Sequence, residues 1–185
     1  MYGNFCTSVL YYQKRYSWCA MKILVLSDSH SGLSFMRYAI RTVKPDAVIH
    51  LGDYFDDGQT VADENPHLVF HQVGGNCDRY RSYEIRPEVL CYPVCGVKLY
   101  MVHGHNHHVK SGLYHLLSDA RKNSVQAVLY GHTHCPECHQ EEDGLWVMNP
   151  GTCSSSGGSV GLMETDNGKI TACRILRQAE LETFV

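Results

Sequence analysis

The chain has 185 residues, 16 basic and 19 acidic side chains, a formal net charge of −3 and 12 histidines. This length suits one domain with one substantial core, and the balanced charge, without a basic stripe, argues against a stable nucleic-acid partner. No segment approaches the roughly 20 apolar residues of a membrane span, so no membrane partner is expected, whereas the many histidines point to metal binding because histidine is the commonest metal ligand.

The first 20 residues differ from the rest of the chain. Residues 1–20 show neither helical nor strand periodicity and lack the continuous apolar stretch of a secretory signal. At Met21 a buried-strand pattern begins, so we expect residues 21–185 to form a single domain and residues 1–20 to be an extension, either an over-called start or a short arm. The nine cysteines show no disulfide-like spacing, which favours free thiols in a reducing cytoplasm.

Short apolar runs rich in β-branched residues predict strands that are buried on both faces. They are Ile23–Leu26, Ala47–Ile49, Leu68–Phe70, Val97–Val102 and Val125–Tyr130. Apolar residues at four-residue intervals predict two helices between them, one with Phe35, Ala39 and Val43 and one with Val109, Leu113 and Leu117. After Thr133 the pattern becomes alternating and predicts two hairpins, which turn at Asp143-Gly144 and at Asp166-Asn167-Gly168.

Polar residues of metal-ligand type follow each of these strands directly. The groups are Asp28-Ser29-His30, Gly52-Asp53, Gly75-Asn76-Cys77-Asp78, His103-Gly104-His105 and Gly131-His132-Thr133-His134. Each group taken alone also fits a turn or a hydrogen-bonded core side chain. Because ligands of open α/β sheets bind beyond the carboxyl ends of the strands, the five groups together predict one shared metal site.

This order of motifs resembles the calcineurin-like metallophosphoesterases, and most of all their small bacterial and archaeal phosphodiesterases. The resemblance covers Met21 to about Leu176, and Asn149-Pro150-Gly151-Thr152 is similar to an Asn-Pro-Gly-Ser turn of that subgroup. It implies an α/β fold in which a sandwich of two β-sheets is flanked by helices, in four αββα layers. It also implies hydrolysis of a small phosphodiester substrate.

The resemblance further implies a set of metal ligands. Asp28, His30 and His134 would hold one divalent cation, Asn76, His103 and His132 a second one, and Asp53 would bridge the two. Two cations about 3.5–4 Å apart need a shared anionic ligand, and together they lower the pKa of a bridging water that attacks phosphorus in line. Nitrogen and oxygen donors of this kind suit Mn, Fe, Co, Ni or Zn without selecting one of them.

Three further residues are expected near the chemistry. Cys77 stands where the superfamily usually has a histidine that protonates the leaving group, and a thiol is a poorer match to neutral pH, so we expect a weak proton donor and a preference for good leaving groups. Asp78 is expected to orient local groups or to cap a following turn rather than to act as a base. His105 either faces the substrate phosphate or is an outer imidazole.

The segment Cys135-Pro136-Glu137-Cys138-His139 fits the spacing of c-type haem attachment, of a structural zinc site and of a redox pair. We favour an incidental occurrence, because haem attachment needs an oxidising compartment and no signal peptide is evident. A zinc site would need two more ligands, for which Cys91, Cys95 and Cys153 are the candidates.

The remaining predictions concern the surroundings of the site. His50 is expected to be a hydrogen-bonded core histidine, and His107 and His108 are expected to lie on the surface. Phe55–Val61 and Ser154–Ser159 are expected to be loops at the rim, without a motif that selects a substrate. The oligomeric state stays open, a homo-oligomer included.

A different class of function is also compatible with this fold. The retromer scaffold subunit shares it and binds partner proteins with a degraded metal site, so the fold alone does not establish catalysis. All seven ligand positions are filled here, which favours an enzyme.

Overall fold

Ten strands form two mixed sheets of five strands each, within the residues that the computed structural model describes, 20–78, 86–154 and 157–184. The strands are β1 Met21–Leu26, β2 Ala47–His50, β3 Val69–Gln72, β4 Val89–Val94, β5 Val97–Val102, β6 Ala127–Leu129, β7 Glu137–Gln140, β8 Trp146–Asn149, β9 Ser159–Asp166 and β10 Lys169–Arg177. The helices are α1 Leu33–Val43, α2 Phe55–Glu64, α3 Tyr114–Lys122 and α4 Gln178–Leu181. The predicted extension, residues 1–20, lies outside the described residues apart from Ala20.

The strand directions bring the predicted ligand loops to one edge of the molecule. The first sheet has the order β10-β9-β1-β2-β3, in which β1, β2 and β3 are parallel. The second sheet has the order β4-β5-β6-β8-β7, in which β5, β6 and β8 are parallel. Parallel strands end at the same edge of a sheet, so the loops after β1, β2, β3, β5 and β6 can converge.

Alternating side chains of the strands build the layers of the sandwich. Ile23 and Val25 of β1 face the core between the sheets, whereas Leu24 and Leu26 face the helix layer of α1 and α2. Helix α3 covers the outer face of the second sheet through Leu116. The helices cover the outer faces because strands buried on both faces need apolar contacts on both sides. This arrangement confirms the predicted helix-flanked sandwich. No described helix is long and apolar enough to cross a membrane.

Both predicted hairpins are present. Strands β7 and β8 pair in antiparallel fashion around the Asp143-Gly144 turn, and β9 pairs with β10. In the second turn Asn167 has φ 49° and Gly168 has φ 73°. Two successive positive φ angles are typical of the two-residue hairpin turn that matches the twist of the strands.

Two predictions about local structure were wrong, and one strand was not predicted. Phe55–Val61 is not a loop but lies in α2. Asp56 and Asp57 lie in its first turn, where their negative charge interacts favourably with the positive end of the helix dipole. Val109 does not belong to the second predicted helix, because Gly112, with φ 133°, separates a short 3₁₀ turn from α3. Strand β4 was not predicted; it is an edge strand that contains Pro93.

Two predictions about histidines also need correction. His50 is fully buried as expected, but neither of its ring nitrogens has a hydrogen-bond partner. Burial lowers its pKa to about 4, so the ring is neutral at neutral pH. His107 is half-buried rather than on the surface, with Nε2 3.4 Å from the Tyr100 hydroxyl and 3.6 Å from Asp119, whereas His108 is exposed as predicted.

Candidate metal centre

The loops after five strands place all seven predicted metal-binding side chains at one end of the sandwich. Asp28 and His30 follow β1, Asp53 follows β2, and Asn76 follows β3. His103 follows β5, and His132 and His134 follow β6. Each sheet therefore contributes side chains to the same region.

Four of these side chains form a tight cluster. One ligand atom from each of Asp28, His30, Asp53 and His134 lies within 4.8 Å of all the others. Nε2 of His134 is 3.0 Å from Oδ1 of Asp28, and Nε2 of His30 is 3.8 Å from Oδ2 of Asp53. The two Nε2 atoms of His30 and His134 are only 3.4 Å apart. Two carboxylates and two imidazole nitrogens that face one another in this way form a donor set suited to a transition-metal ion.

A second group shares Asp53 with the first. Oδ1 of Asp53 is 3.4 Å from Nε2 of His103, and this nitrogen is 3.1 Å from Oδ1 of Asn76. The His132 ring lies farther out, with its centroid 5.1 Å from that of His103. Asp53 therefore points one carboxylate oxygen toward each group.

The ring of His103 is oriented by its contacts. Its Nδ1 is 2.8 Å from the carbonyl oxygen of Leu51. A carbonyl can only accept, so Nδ1 donates a proton to it, and Nε2, which faces the Asp53 and Asn76 oxygens, is the nitrogen that a metal ion could bind. A metal-binding histidine is oriented by just such a hydrogen bond from its other ring nitrogen.

The carboxylate of Asp28 tests whether these residues fit a metal. Its Oδ2 accepts hydrogen bonds from the Ser27 hydroxyl at 2.6 Å and from the His132 backbone N–H at 3.0 Å. Its Oδ1 is buried and accepts no hydrogen bond of normal geometry, although Nε2 of His134 is near. An unsatisfied buried carboxylate oxygen is costly, and a cation among the four clustered residues would satisfy it. These four residues therefore fit a divalent metal ion.

The backbone is unusual at the same place. Five of the seven predicted ligands have φ in the left-handed region, and they are Asp28, His30, Asp53, His132 and His134. Such conformations cost about 1–3 kcal/mol each for residues other than glycine and cluster at functional sites. This strain is sustained because other contacts fix the loops.

One of these contacts comes from a residue that the sequence did not indicate. Oδ2 of Asp57, in the first turn of α2, accepts hydrogen bonds from the Ser29 hydroxyl at 2.9 Å and from the Ser31 backbone N–H at 2.7 Å. Ser31 is itself left-handed, with φ 72°. Asp57 therefore holds the loop that carries Asp28 and His30, and no spacing rule in the sequence links it to that loop.

Asp53 is held just as closely. Its Oδ1 accepts the Cys77 backbone N–H at 2.9 Å. A Cβ atom on Gly75 would lie 2.2 Å from Oδ1 of Asp53 and 2.4 Å from the Asp53 backbone nitrogen. Only glycine allows the loops after β2 and β3 to approach this closely.

The carboxylates and imidazoles of the site shift one another's pKa values. Burial raises the pKa of Asp28, but His134, His103 and Ser27 together outweigh it, so its pKa lies below the ordinary value. The contact with Asp28 raises the pKa of His134. Burial and the neighbouring His103 lower the pKa of His132 to about 4.

The three residues predicted near the chemistry have different surroundings. Burial and Asp53 raise the pKa of the half-buried Cys77 thiol to about 11. Asp78 is buried, and it accepts backbone N–H groups of Gly75 and Phe55, each at 2.8 Å. Its carboxylate thus caps α2, which precedes it in the chain, and fixes the loop after β3. The His105 ring faces the second group, with centroid distances of 5.4 Å to His103 and 6.2 Å to His132.

The turn predicted from its likeness to Asn-Pro-Gly-Ser supports the loops from behind. Nδ2 of Asn149 donates to the Gly131 carbonyl at 3.1 Å and to the Thr133 hydroxyl at 2.9 Å. The Thr152 hydroxyl donates to the Asp28 carbonyl at 2.8 Å. The turn therefore braces the loops after β6 and β1 and supplies no donor atom of its own to the two groups.

The cysteine motif does not assemble a zinc site. Cys135 is exposed, whereas Cys138 packs against the core between the sheets. The candidate partners Cys95, Cys153 and Cys91 belong to three different hydrophobic clusters. In the part of the chain that the structure describes, no cysteine belongs to a group of three or more His, Cys, Asp or Glu side chains whose ligand atoms lie within 4.8 Å of one another.

Comparison with known proteins identifies the family of this chain. The model of the calcineurin-like phosphoesterase superfamily domain matches residues 21–168. A probable metallophosphoesterase from Mycoplasma pneumoniae is 29% identical over 134 residues, which cover 71% of this chain and 78% of that protein.

Solved structures share the fold. A predicted phosphoesterase from Streptococcus pneumoniae has a TM-score of 0.65 and 22% identity, with 86% of this chain and 99% of that chain covered. Vacuolar Protein Sorting 29 from Cryptosporidium parvum has a TM-score of 0.66 and 19% identity, with the same coverage of 86% and 99%. At these identities the likeness concerns the fold alone.

Proposed function

Because this chain belongs to the calcineurin-like phosphoesterase superfamily, we propose that residues 21–185 form a metal-dependent phosphodiesterase domain with two divalent cations. The position of Asp53 carries the proposal. Its two carboxylate oxygens face two separate groups of donor atoms, with His30 on one side and His103 on the other. Two cations close together require a shared anionic ligand of this kind.

The residues would divide between the cations as follows. Asp28, His30 and His134 would hold the first, Asn76, His103 and His132 the second, and Asp53 would bridge them. When bound, the cations would supply Lewis-acid activation of the phosphoryl group and of the attacking water. The mixture of nitrogen and oxygen donors suits Mn, Fe, Co, Ni or Zn.

The surrounding residues define the remaining steps. His105 faces the second group and would donate a hydrogen bond to a substrate phosphoryl oxygen. Cys77 would be a weak proton donor, because a thiol matches neutral pH poorly. Asp78 is a positioning residue, since its oxygens are engaged by backbone N–H groups of Gly75 and Phe55. A small phosphodiester with a good leaving group is the substrate class that this arrangement favours.

A protein-binding scaffold is the alternative. The similarity to Vacuolar Protein Sorting 29 shows that relatives with other roles share the fold. The unsatisfied Oδ1 of Asp28 and the close approach of His30 to His134 favour the enzyme. Two carboxylates and two imidazoles that converge on one point form a donor set typical of a metal-dependent site, and binding of a partner protein does not require such a set.

The test is release of nitrophenol from bis(p-nitrophenyl) phosphate after chelation and re-addition of Mn, Fe, Co, Ni, Zn or Mg. The metal-loaded protein should hydrolyse the diester and should prefer it to p-nitrophenyl phosphate. Asp53→Asn should lose most of the metal-dependent rate because the bridge loses its charge. Asp63→Asn is the matched control, since Asp63 lies on the exposed side of α2 and bonds to Gln59.

Two results would contradict the proposal. Absence of a rate above buffer with every metal would favour the scaffold. Normal metal content and normal rate in Asp53→Asn would contradict the bridging role.

A further inference from the structure

Two strands from different sheets meet at one side of the sandwich. Strand β7 is an edge of the second sheet and β10 is an edge of the first. These two edge strands are in contact. Each carries one cysteine, Cys138 in β7 and Cys173 in β10.

The strand registers direct both cysteines into the space between the sheets. Cys138 lies opposite Met148 in the antiparallel β7–β8 pair, and Cys173 lies opposite Met163 in the β9–β10 pair. Residues directly opposite in antiparallel strands point to the same face of the sheet. Met148 and Met163 are fully buried in the core between the sheets, and both cysteines pack against that core.

The two thiols interact with each other. This interaction lowers the pKa of Cys138, and it raises the pKa of Cys173 together with burial. Cys138 is therefore the better nucleophile, since the thiolate is the reactive form. Both side chains are half-buried. Cys135, the other cysteine of the Cys-x-x-Cys motif, is exposed and is not part of this pair.

We propose that Cys138 and Cys173 are an oxidant-sensitive dithiol that closes reversibly to a disulfide between the two sheets. In the first step the Cys138 sulfur attacks a hydroperoxide, which gives a sulfenic acid and releases the alcohol, or water from hydrogen peroxide. In the second step the Cys173 sulfur attacks the sulfenic sulfur, the S–S bond forms, and the sulfenic hydroxyl leaves as water. Two thiols lose two electrons and two protons, and a thiol reductant reverses the change.

The disulfide would change the stability of the domain. It closes a loop of about 35 residues, and a loop of this length restricts the unfolded chain considerably. For a domain of this size the expected rise in the midpoint of thermal unfolding is about 5–15 °C. Strand β7 also begins just after His134, so the link would anchor the strand that continues from the candidate metal centre. The dithiol does not depend on catalysis by that centre.

The experiment uses the full chain, reduced, freed of reductant and treated with hydrogen peroxide. Remaining thiols are alkylated, and peptide mapping by mass spectrometry then identifies the linked peptides. Thermal unfolding is followed before oxidation, after oxidation and after addition of dithiothreitol. Cys138→Ser and Cys173→Ser remove the pair, and Cys135→Ser is the matched control. The mapping of the unmodified chain needs no variant, so it stands even where a variant fails to fold.

We expect a Cys138–Cys173 linked peptide, a higher unfolding midpoint after oxidation, and reversal by dithiothreitol. Cys135→Ser should keep all three, and Cys138→Ser and Cys173→Ser should lose them. A Cys135–Cys138 link, or absence of any Cys138–Cys173 peptide once hydrogen peroxide has consumed these thiols, would overturn the proposal. An unfolding midpoint that falls on formation of the link would overturn its stabilising effect.

Discussion

Replacement of Asp57 by alanine should weaken metal binding, although Asp57 belongs to neither donor group. Its carboxylate accepts the Ser29 hydroxyl and the Ser31 backbone N–H. These two bonds hold a loop in which Asp28, His30 and Ser31 are all left-handed. Without them the loop can relax to ordinary backbone angles, and the donor atoms of Asp28 and His30 lose their alignment.

The size of the effect follows from the two hydrogen bonds. A hydrogen bond to a charged group contributes about 1.5–3 kcal/mol, and the partial exposure of Asp57 places these at the lower end. Their loss removes about 3 kcal/mol from the ordered loop. Part of this free energy falls on folding and part on metal binding, where each 1.4 kcal/mol is about tenfold. We therefore expect Mn²⁺ affinity to fall about 10–100-fold, the range typical for residues that orient metal ligands.

The assay is calorimetric titration of metal-free protein with Mn²⁺, with the rate of diester hydrolysis measured across the same Mn²⁺ range. Asp57→Ala should need more Mn²⁺ for half its maximal rate and should recover part of the rate at saturation. Asp57→Asn keeps an acceptor oxygen and should lie between the alanine variant and the unmodified protein. Asp63→Ala, on the same helix, is the control. Equal Mn²⁺ affinity in Asp57→Ala and Asp63→Ala would refute the reasoning.

Three further predictions concern neighbouring residues. Gly75→Ala should abolish metal-dependent hydrolysis, because its Cβ would lie 2.4 Å from the Asp53 backbone nitrogen. Gly74→Ala should keep most of the rate, because its Cβ would lie 3.1 Å from the Arg86 side chain and 3.9 Å from the Pro87 carbonyl oxygen; equal rates in the two variants would contradict this. Cys77→Ala should lower the rate of nitrophenyl diester hydrolysis only slightly. Cys77→His should accelerate alkyl esters more than nitrophenyl esters, by up to about 10²–10⁴-fold where protonation limits the step. Loss of nitrophenyl diester hydrolysis in Cys77→Ala at equal metal content would contradict this prediction. Because the pKa of His50 falls from 6.5 to about 4 on folding, the metal-free protein should lose about 3 kcal/mol of stability between pH 6.5 and pH 4 through this residue. In urea unfolding at several pH values, His50→Leu should lack that component, and an unchanged pH dependence would contradict it.

The sign of the His50 effect follows from proton binding. The unfolded chain binds a proton on this ring below pH 6.5, whereas the folded chain resists it until about pH 4. The contribution to stability is therefore complete above pH 6.5 and is lost as the pH falls through this window.

The convergence of the candidate ligand residues could be predicted from the sequence because strand ends leave a clear local pattern. An apolar run followed at once by Asp, Asn or His marks both a buried strand and the loop beyond it. Five such patterns in order predicted the convergence of Asp28, Asp53 and His103, since parallel strands end at one edge. The hairpin turns were predictable for a similar reason, because Asn167 and Gly168 tolerate positive φ.

The supporting contacts could not be predicted in this way. Asp57 reaches a loop 26 residues earlier in the sequence, and Asp78 caps a helix that begins 23 residues before it. Helix α2 was not predicted because Gly58, in its first turns, is a residue type common in loops. In the structure Gly58 allows close packing of the helix on Gln72 and His50. Cys138 and Cys173 meet only because two sheets stack, and neither strand alone carries a sign of that contact.

The most direct test of the account is anomalous diffraction from crystals of the Mn²⁺-loaded protein. We predict two manganese peaks about 3.5–4 Å apart, one surrounded by Asp28, His30 and His134 and the other by Asn76, His103 and His132. The carboxylate of Asp53 should lie between them and contact both. A single peak, or peaks bound away from Asp53, would contradict the central claim that this chain holds a dinuclear metal centre.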